Sequence, residues 1–194
     1  MQYSWHSLHN RHNALPGGGD VISHIYEKPL LIFGCGNTLL GDDGFGPAVI
    51  EHLLAGPPLP ESAAALDVGT SSREFLFDLL LAPRKPRLLL VIDAADPEGL
   101  APGQLTELPL TGIAPQKIND FSLHQFPSVN LLRELAEVGG VAVRVLAVKA
   151  EVIPETVRPG LSPAVAAAVP KAAAWAREVL AQATDHPATR AARA

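Results

Sequence analysis

Asp42 and Asp43 stand side by side after Gly34-Cys35-Gly36-Asn37-Thr38-Leu39-Leu40-Gly41, where an apolar strand should give way to a helix. Glycines in that place ordinarily let backbone N–H groups approach a phosphate, and the helix start favours the anion. Here the anions belong to the chain itself, so a pyrophosphate would be repelled and the turn suits a metal cation or a protonated group. Other polar residues fall at comparable places: Asp67 closes a second apolar segment, Asp93 and Asp96 end a third, and His124 precedes a later helix. Each has a plain structural reading. Asp42 or Asp43 can cap a helix, Asp67 can form a turn with Gly69-Thr70, and a lone histidine can be a hydrogen-bonded helix-entry residue. Asp93 is harder to dismiss, because Val91-Ile92-Asp93-Ala94-Ala95 places it where an unpaired charge costs several kcal/mol.

Taken together, two carboxylates and one imidazole can bind a divalent metal on one side and leave positions open, and imidazole suits nickel or zinc. The sequence has no H-E-x-x-H helix and no G-x-S-x-G elbow. Cys35, at a tight strand end, reads as a small buried side chain.

The elements that must position these groups alternate. Leu30 to Cys35 reads as a strand, Asp43 to Ala55 as a helix, and Ala64 to Val68 as a second strand. Ser71 or Ser72 can cap a helix whose face is Phe75, Leu76, Leu79 and Leu80. Arg87 to Ala95 holds a continuous apolar run, as expected of a strand covered on both faces. Gly103 to Pro109 is more polar and suits an edge strand. A helix bearing Val129, Leu131, Leu132, Leu135 and Ala136 is closed by Gly139-Gly140, and Val141 to Lys149 supplies a fifth strand. Leu161 to Ala183 reads as a last helix, interrupted or kinked at Pro170. The expected fold class is an α/β three-layer sandwich, with a mostly parallel central sheet of about five strands and helices on both faces. In such a sheet ligands bind beyond the carboxyl ends of the strands, where the acids lie.

Composition narrows the partners. At 194 residues and 47% hydrophobic, the chain can bury one core, spanning residues 29–184. Residues 1–28, with His6, His9 and His12, read as a loose tail to which no role is assigned, and residues 185–194 as a C-terminal tail. Fifteen basic against 20 acidic residues, with no Lys/Arg stripe, argue against nucleic acid. A single cysteine excludes an internal disulfide, and neither a spanning segment nor an export signal is evident, so the expected setting is the cytoplasm without membrane insertion.

Several stretches together resemble the hydrogenase maturation endopeptidases: Gly34-x-Gly36-Asn37-x-Leu39-x-x-Asp42-Asp43-Gly44-x-Gly46, Leu66-Asp67-x-Gly69, Ile92-Asp93-Ala94-x-Asp96, and His124 followed by Pro127. Asp96 to Gly103 and Ile153-Pro154 add to the likeness, which covers about residues 30 to 182. The resemblance implies a single α/β protease domain that trims the C-terminus of a nickel-iron hydrogenase large-subunit precursor. It implies a metal-binding trio, Asp43, Asp93 and His124, for nickel carried by that precursor, and no organic cofactor. Many relatives have glutamate where this chain has Asp43, for which Asp42 can substitute; Asp42 and Asp67 are the candidates for catalysis. With no evident serine or cysteine nucleophile, the favoured chemistry is attack by water assisted by a carboxylate base. The cation or backbone donors near Gly34 to Asn37 would polarise the carbonyl. Three rivals compete: a dinucleotide-binding module, weakened because Leu39 replaces the third fingerprint glycine; a metallopeptidase with its own zinc; and a non-enzymatic nickel chaperone.

Overall fold

Five strands and the helices between them build the molecule, in a computed structural model that describes residues 25–110 and 128–185. Strand β1 (Leu30–Cys35) leads through a 3-10 turn (Gly41–Gly44) into helix α1 (Phe45–Ala55), then β2 (Ala63–Gly69), α2 (Ser72–Leu81) and β3 (Leu88–Ala95). After β4 (Leu105–Leu108) come α3 (Ser128–Glu137), β5 (Ala142–Lys149), a single turn α4 (Pro163–Ala166) and α5 (Val169–Asp185). The sheet order is β2-β1-β3-β5-β4. All neighbours are parallel except β4, which runs antiparallel to β5 at the edge. The five-strand, mostly parallel sheet expected from the sequence is therefore present, edge strand included.

Strand alternation sorts the core into two layers. Leu30, Ile32, Leu88, Leu90 and Ile92 face α1 and α5, whereas Leu31, Phe33, Leu89 and Val91 face α2 and α3. Both central strands are buried along nearly their whole length, which is why their sequences are apolar without interruption. Helix α5 meets the sheet side through Ala172, Ala173 and Ala176, small residues that let its backbone come close. Chain order reverses between β1 and β3: β2 lies on one side of β1, and β3 on the other. Such a switch point opens a crevice at the carboxyl ends of the two strands.

Three local expectations change. Residues 25–28, placed in the tail from sequence, are packed: Ile25 is buried and Tyr26 meets Phe75 edge-on at 6.5 Å between ring centroids. Tail residues 1–24, His6, His9 and His12 among them, lie outside the described residues, as do residues 186–194. The last helical segment is two helices, and Pro170 sits in the first turn of α5, where a missing N–H costs no intrahelical bond. Ser71 precedes α2 but makes no side-chain cap.

Candidate active site

The glycine turn after β1 is built for close packing of backbone on backbone. A Cβ on Gly46 would lie 2.3 Å from the Cys35 carbonyl oxygen and 2.5 Å from that of Ile92, so the start of α1 rests directly on β1 and β3. Opposite it, a Cβ on Gly34 would lie 2.5 Å from the Gly46 oxygen. Gly36 has φ +118°, and its Cβ would fall 1.8 Å from the Asp43 carbonyl oxygen. The space a dinucleotide fingerprint leaves for a phosphate is occupied here by the chain itself. What the turn delivers to the crevice is Asp43.

Adjacent Asp42 and Asp43 turn out to have opposite duties. Asp42 is fully buried, and its carboxylate accepts four hydrogen bonds: from the Glu151, Val152 and Ser162 N–H groups at 2.8, 2.9 and 2.6 Å, and from Ser162 Oγ at 3.0 Å. A carboxylate so engaged fastens the segment after β5 to the turn. This corrects Asp42 as a catalytic candidate and as a substitute for Asp43, because its oxygens are spent on that segment. Asp43, 6% exposed, accepts the Asn37 N–H through Oδ2 at 2.8 Å, and Asn37 Oδ1 in turn accepts the Leu39 N–H at 3.0 Å.

Asp93 and Asp67 complete the acidic edge. In the register, Gly34 lies between Asp67 of β2 and Ile92 of β3, so Asp93 is one residue beyond the pair, across the switch point from the Asp43 turn. Burial and then the nearby Asp43 charge push Asp93 up to about 8, although the Ala94 N–H donates to its Oδ1 at 2.8 Å. Burial also raises Asp67, while the Gly69 N–H, at 2.9 Å from Oδ1, opposes it. The Cys35 thiol, at the end of β1, is buried and hydrogen-bonded with Ser72, and burial first, then the charges of Asp93, Asp67 and Asp43, raise it well above the usual thiol range. The three acids thus lie along one carboxyl edge beside the switch point, with Asp43 and Asp93 near enough to interact. Asp96, by contrast, pairs with Lys149.

One further expectation is settled by the hydrogen bonds. The Gly36 and Asn37 N–H groups, candidates for polarising a carbonyl, are committed to Gly69 O at 3.1 Å and to Asp43 Oδ2. His124 lies outside the described residues. Among the described residues no three His, Cys, Asp or Glu side chains form a cluster able to hold a metal ion. The Asp43/Asp93 pair can hold a proton, or exchange it for a cation that supplies further ligands of its own. Ser162 escaped the sequence reading, while Ser72 and Cys35 were read there only as a cap and a small buried side chain. Only Asn37, inside Gly34-x-Gly36-Asn37, carried a signal there.

The family model described as hydrogenase maturation protease matches residues 47–179. The chain is 33% identical over 151 residues to coenzyme F420 hydrogenase subunit delta of Methanothermobacter thermautotrophicus, covering 76% of this chain and 91% of that one. It is 31% identical over 142 residues to hydrogenase 2 maturation protease of Escherichia coli, covering 72% and 83%. Among solved structures it is similar to the hydrogenase maturating endopeptidase HybD from E. coli, with TM-score 0.60 and 30% identity over 81% of this chain and 93% of that one. The fold is shared with a [NiFe] hydrogenase maturation protease HycI from Thermococcus kodakarensis, at TM-score 0.64 and 20% identity, covering 83% and 99%.

Proposed function

The chain belongs to the hydrogenase maturation protease family and is a peptidase acting in hydrogenase processing; on that premise we propose that it removes the C-terminal extension of a nickel-loaded large-subunit precursor. In this reading Asp43, Asp93 and His124 recognise the nickel ion, which arrives as part of the substrate. The observation that carries it is the placement of Asp43, Asp67 and Asp93 just after or at the carboxyl ends of β1, β2 and β3, beside the switch of strand order, with the Asp43 charge acting on Asp93. Two carboxylates that resist sharing negative charge gain most from a cation, and two alone hold one weakly. An ion already ligated by the precursor supplies the rest of the shell.

Recognition is then a coincidence test. Precursor without nickel lacks the charge that the acid pair needs, and nickel without precursor lacks the remaining ligands, so only the loaded precursor binds productively. Asp67 serves as the base that activates water. Its raised affinity for a proton, relative to an ordinary aspartate, moves it toward the range useful for a base. The nickel-loaded precursor or the site cation, rather than the Gly36 and Asn37 amides, polarises the scissile carbonyl. No described helix is long and apolar enough to cross a membrane; the expected setting is the cytoplasm, with the precursor as protein partner.

Asp43→Asn, Asp93→Asn and His124→Ala, incubated with nickel-loaded precursor, test this reading. Processing, followed as the mobility shift of the large subunit, should fall at least about a hundredfold in each, with folding retained. Normal processing by all three ends the reading. The nickel chaperone on the same scaffold would change the metal content of the precursor without shortening it.

A further inference from the structure

Three of the large apolar side chains left in solvent lie around one crossing: Leu39 is 50% exposed, Val152 40% and Val157 70%. The crossing is formed by backbone. Arg158 N donates to Leu39 O at 2.8 Å, Gly41 N to Arg158 O at 2.9 Å, and Asp42 N to Val152 O at 3.1 Å. Leu40 and Arg158 make a parallel bridge, which sets Leu39 and Val157 side by side one rung earlier. Gly41, at φ +57°, permits this closeness, because a Cβ there would lie 2.8 Å from Pro154 Cδ and 2.9 Å from Val152 O. The Asp42 carboxylate locks both segments together, so the patch keeps a fixed register with Asp43, four residues beyond Leu39.

Resting on the function proposed above, we propose that this crossing is the docking platform for the large-subunit precursor, receiving apolar side chains of the segment that leads into the cleaved bond. Continuity selects that occupant. Leu39 is joined to Asp43 by only the bridge residue Leu40 and the start of the tight 3-10 turn, so a chain lying on the platform is held next to the acidic edge. Size agrees: three such side chains offer a few hundred Å², short of the roughly 800 Å² per partner of a stable dimer, yet enough for an extended peptide. Because the platform is already hydrogen-bonded, binding orders only the incoming segment.

The test is steady-state processing of nickel-loaded large-subunit precursor by Leu39→Ser/Val157→Ser and by Val157→Ser alone, a change at a well-exposed site that leaves the core intact. The double variant should raise KM about tenfold while kcat and the melting temperature stay at the wild-type values; the single variant should shift KM in the same direction. A wild-type KM in both overturns the platform, and if Asp43→Asn is inactive in the same assay the proposed function survives. A changed sedimentation coefficient of the precursor-free protein with unchanged KM would mean that a second copy covers the patch. A lowered melting temperature with unchanged KM would mean that the chain itself does. Either overturns the proposal. Failure of the wild-type protein to shorten the precursor overturns the function and the platform together.

Discussion

The two sides of the turn Gly41–Gly44 use the same side chain for opposite ends. Behind it, Asp42 is surrounded by N–H and O–H donors and its charge is fully solvated by the protein. In front, Asp93 is half-buried at the strand end, and desolvation together with the nearby Asp43 charge drives it toward its protonated form. Donors stabilise a carboxylate, and a second carboxylate destabilises it. The back of the turn is thus a fastening that lends stability, and the front is a store of like-charge repulsion that a cation can relieve. The contrast teaches that burial alone does not mark a functional acid; what surrounds the buried charge does.

Removing the fastening should have the largest effect on stability. Asp42→Ala leaves the Glu151, Val152 and Ser162 N–H groups without their acceptor and should cost about 3–5 kcal/mol in urea unfolding. Asp43→Ala, which also lifts the repulsion on Asp93, should cost less than half as much. Equal losses would erase the distinction between the two sides.

A smaller effect depends on pH and sharpens the front of the turn. The folded-state affinity of Asp93 for its proton is raised to about 8, so below about pH 4 it is neutral whether folded or unfolded. As pH rises from there the unfolded chain ionises while the folded one holds its proton, and folded-state stability is lost progressively until about pH 8. Asp93→Asn should therefore match wild type near pH 4 and exceed it at pH 8 by an amount on the order of 3 kcal/mol, in the protein without precursor. A stability difference that does not grow over this window would mean that folded Asp93 does not hold its proton.

Much of the frame was legible in the sequence because it depends on periodicity. The uninterrupted apolar run of Leu88–Ile92 gave the central strand, and the more polar Leu105–Leu108 gave the edge. Asp67 and Asp93 were found because a sheet of this kind gathers strand ends. The assignment of Asp42 was not legible, since its four donors come from residues 109, 110 and 120 positions away along the chain. Nor was the role of Gly36 and Gly46. Their spacing suggests a phosphate turn, and only the contact with Asp43, Cys35 and Ile92 carbonyls shows that they clear space for backbone. Ser72 drew attention as a cap, yet it meets the Cys35 thiol instead. The break before Val169 was signalled by Pro170, but a proline in a first turn and one in a helix interior look alike until the preceding turn is seen.

Nickel-edge X-ray absorption of the loaded precursor, recorded alone and with saturating protein under conditions that block turnover, tests most directly whether the acid pair reads the precursor's ion. The account predicts that oxygen and nitrogen ligands join the nickel shell on mixing with wild type, and that the Asp43→Asn/Asp93→Asn/His124→Ala protein adds none. A nickel shell unchanged by the bound wild-type protein would contradict it.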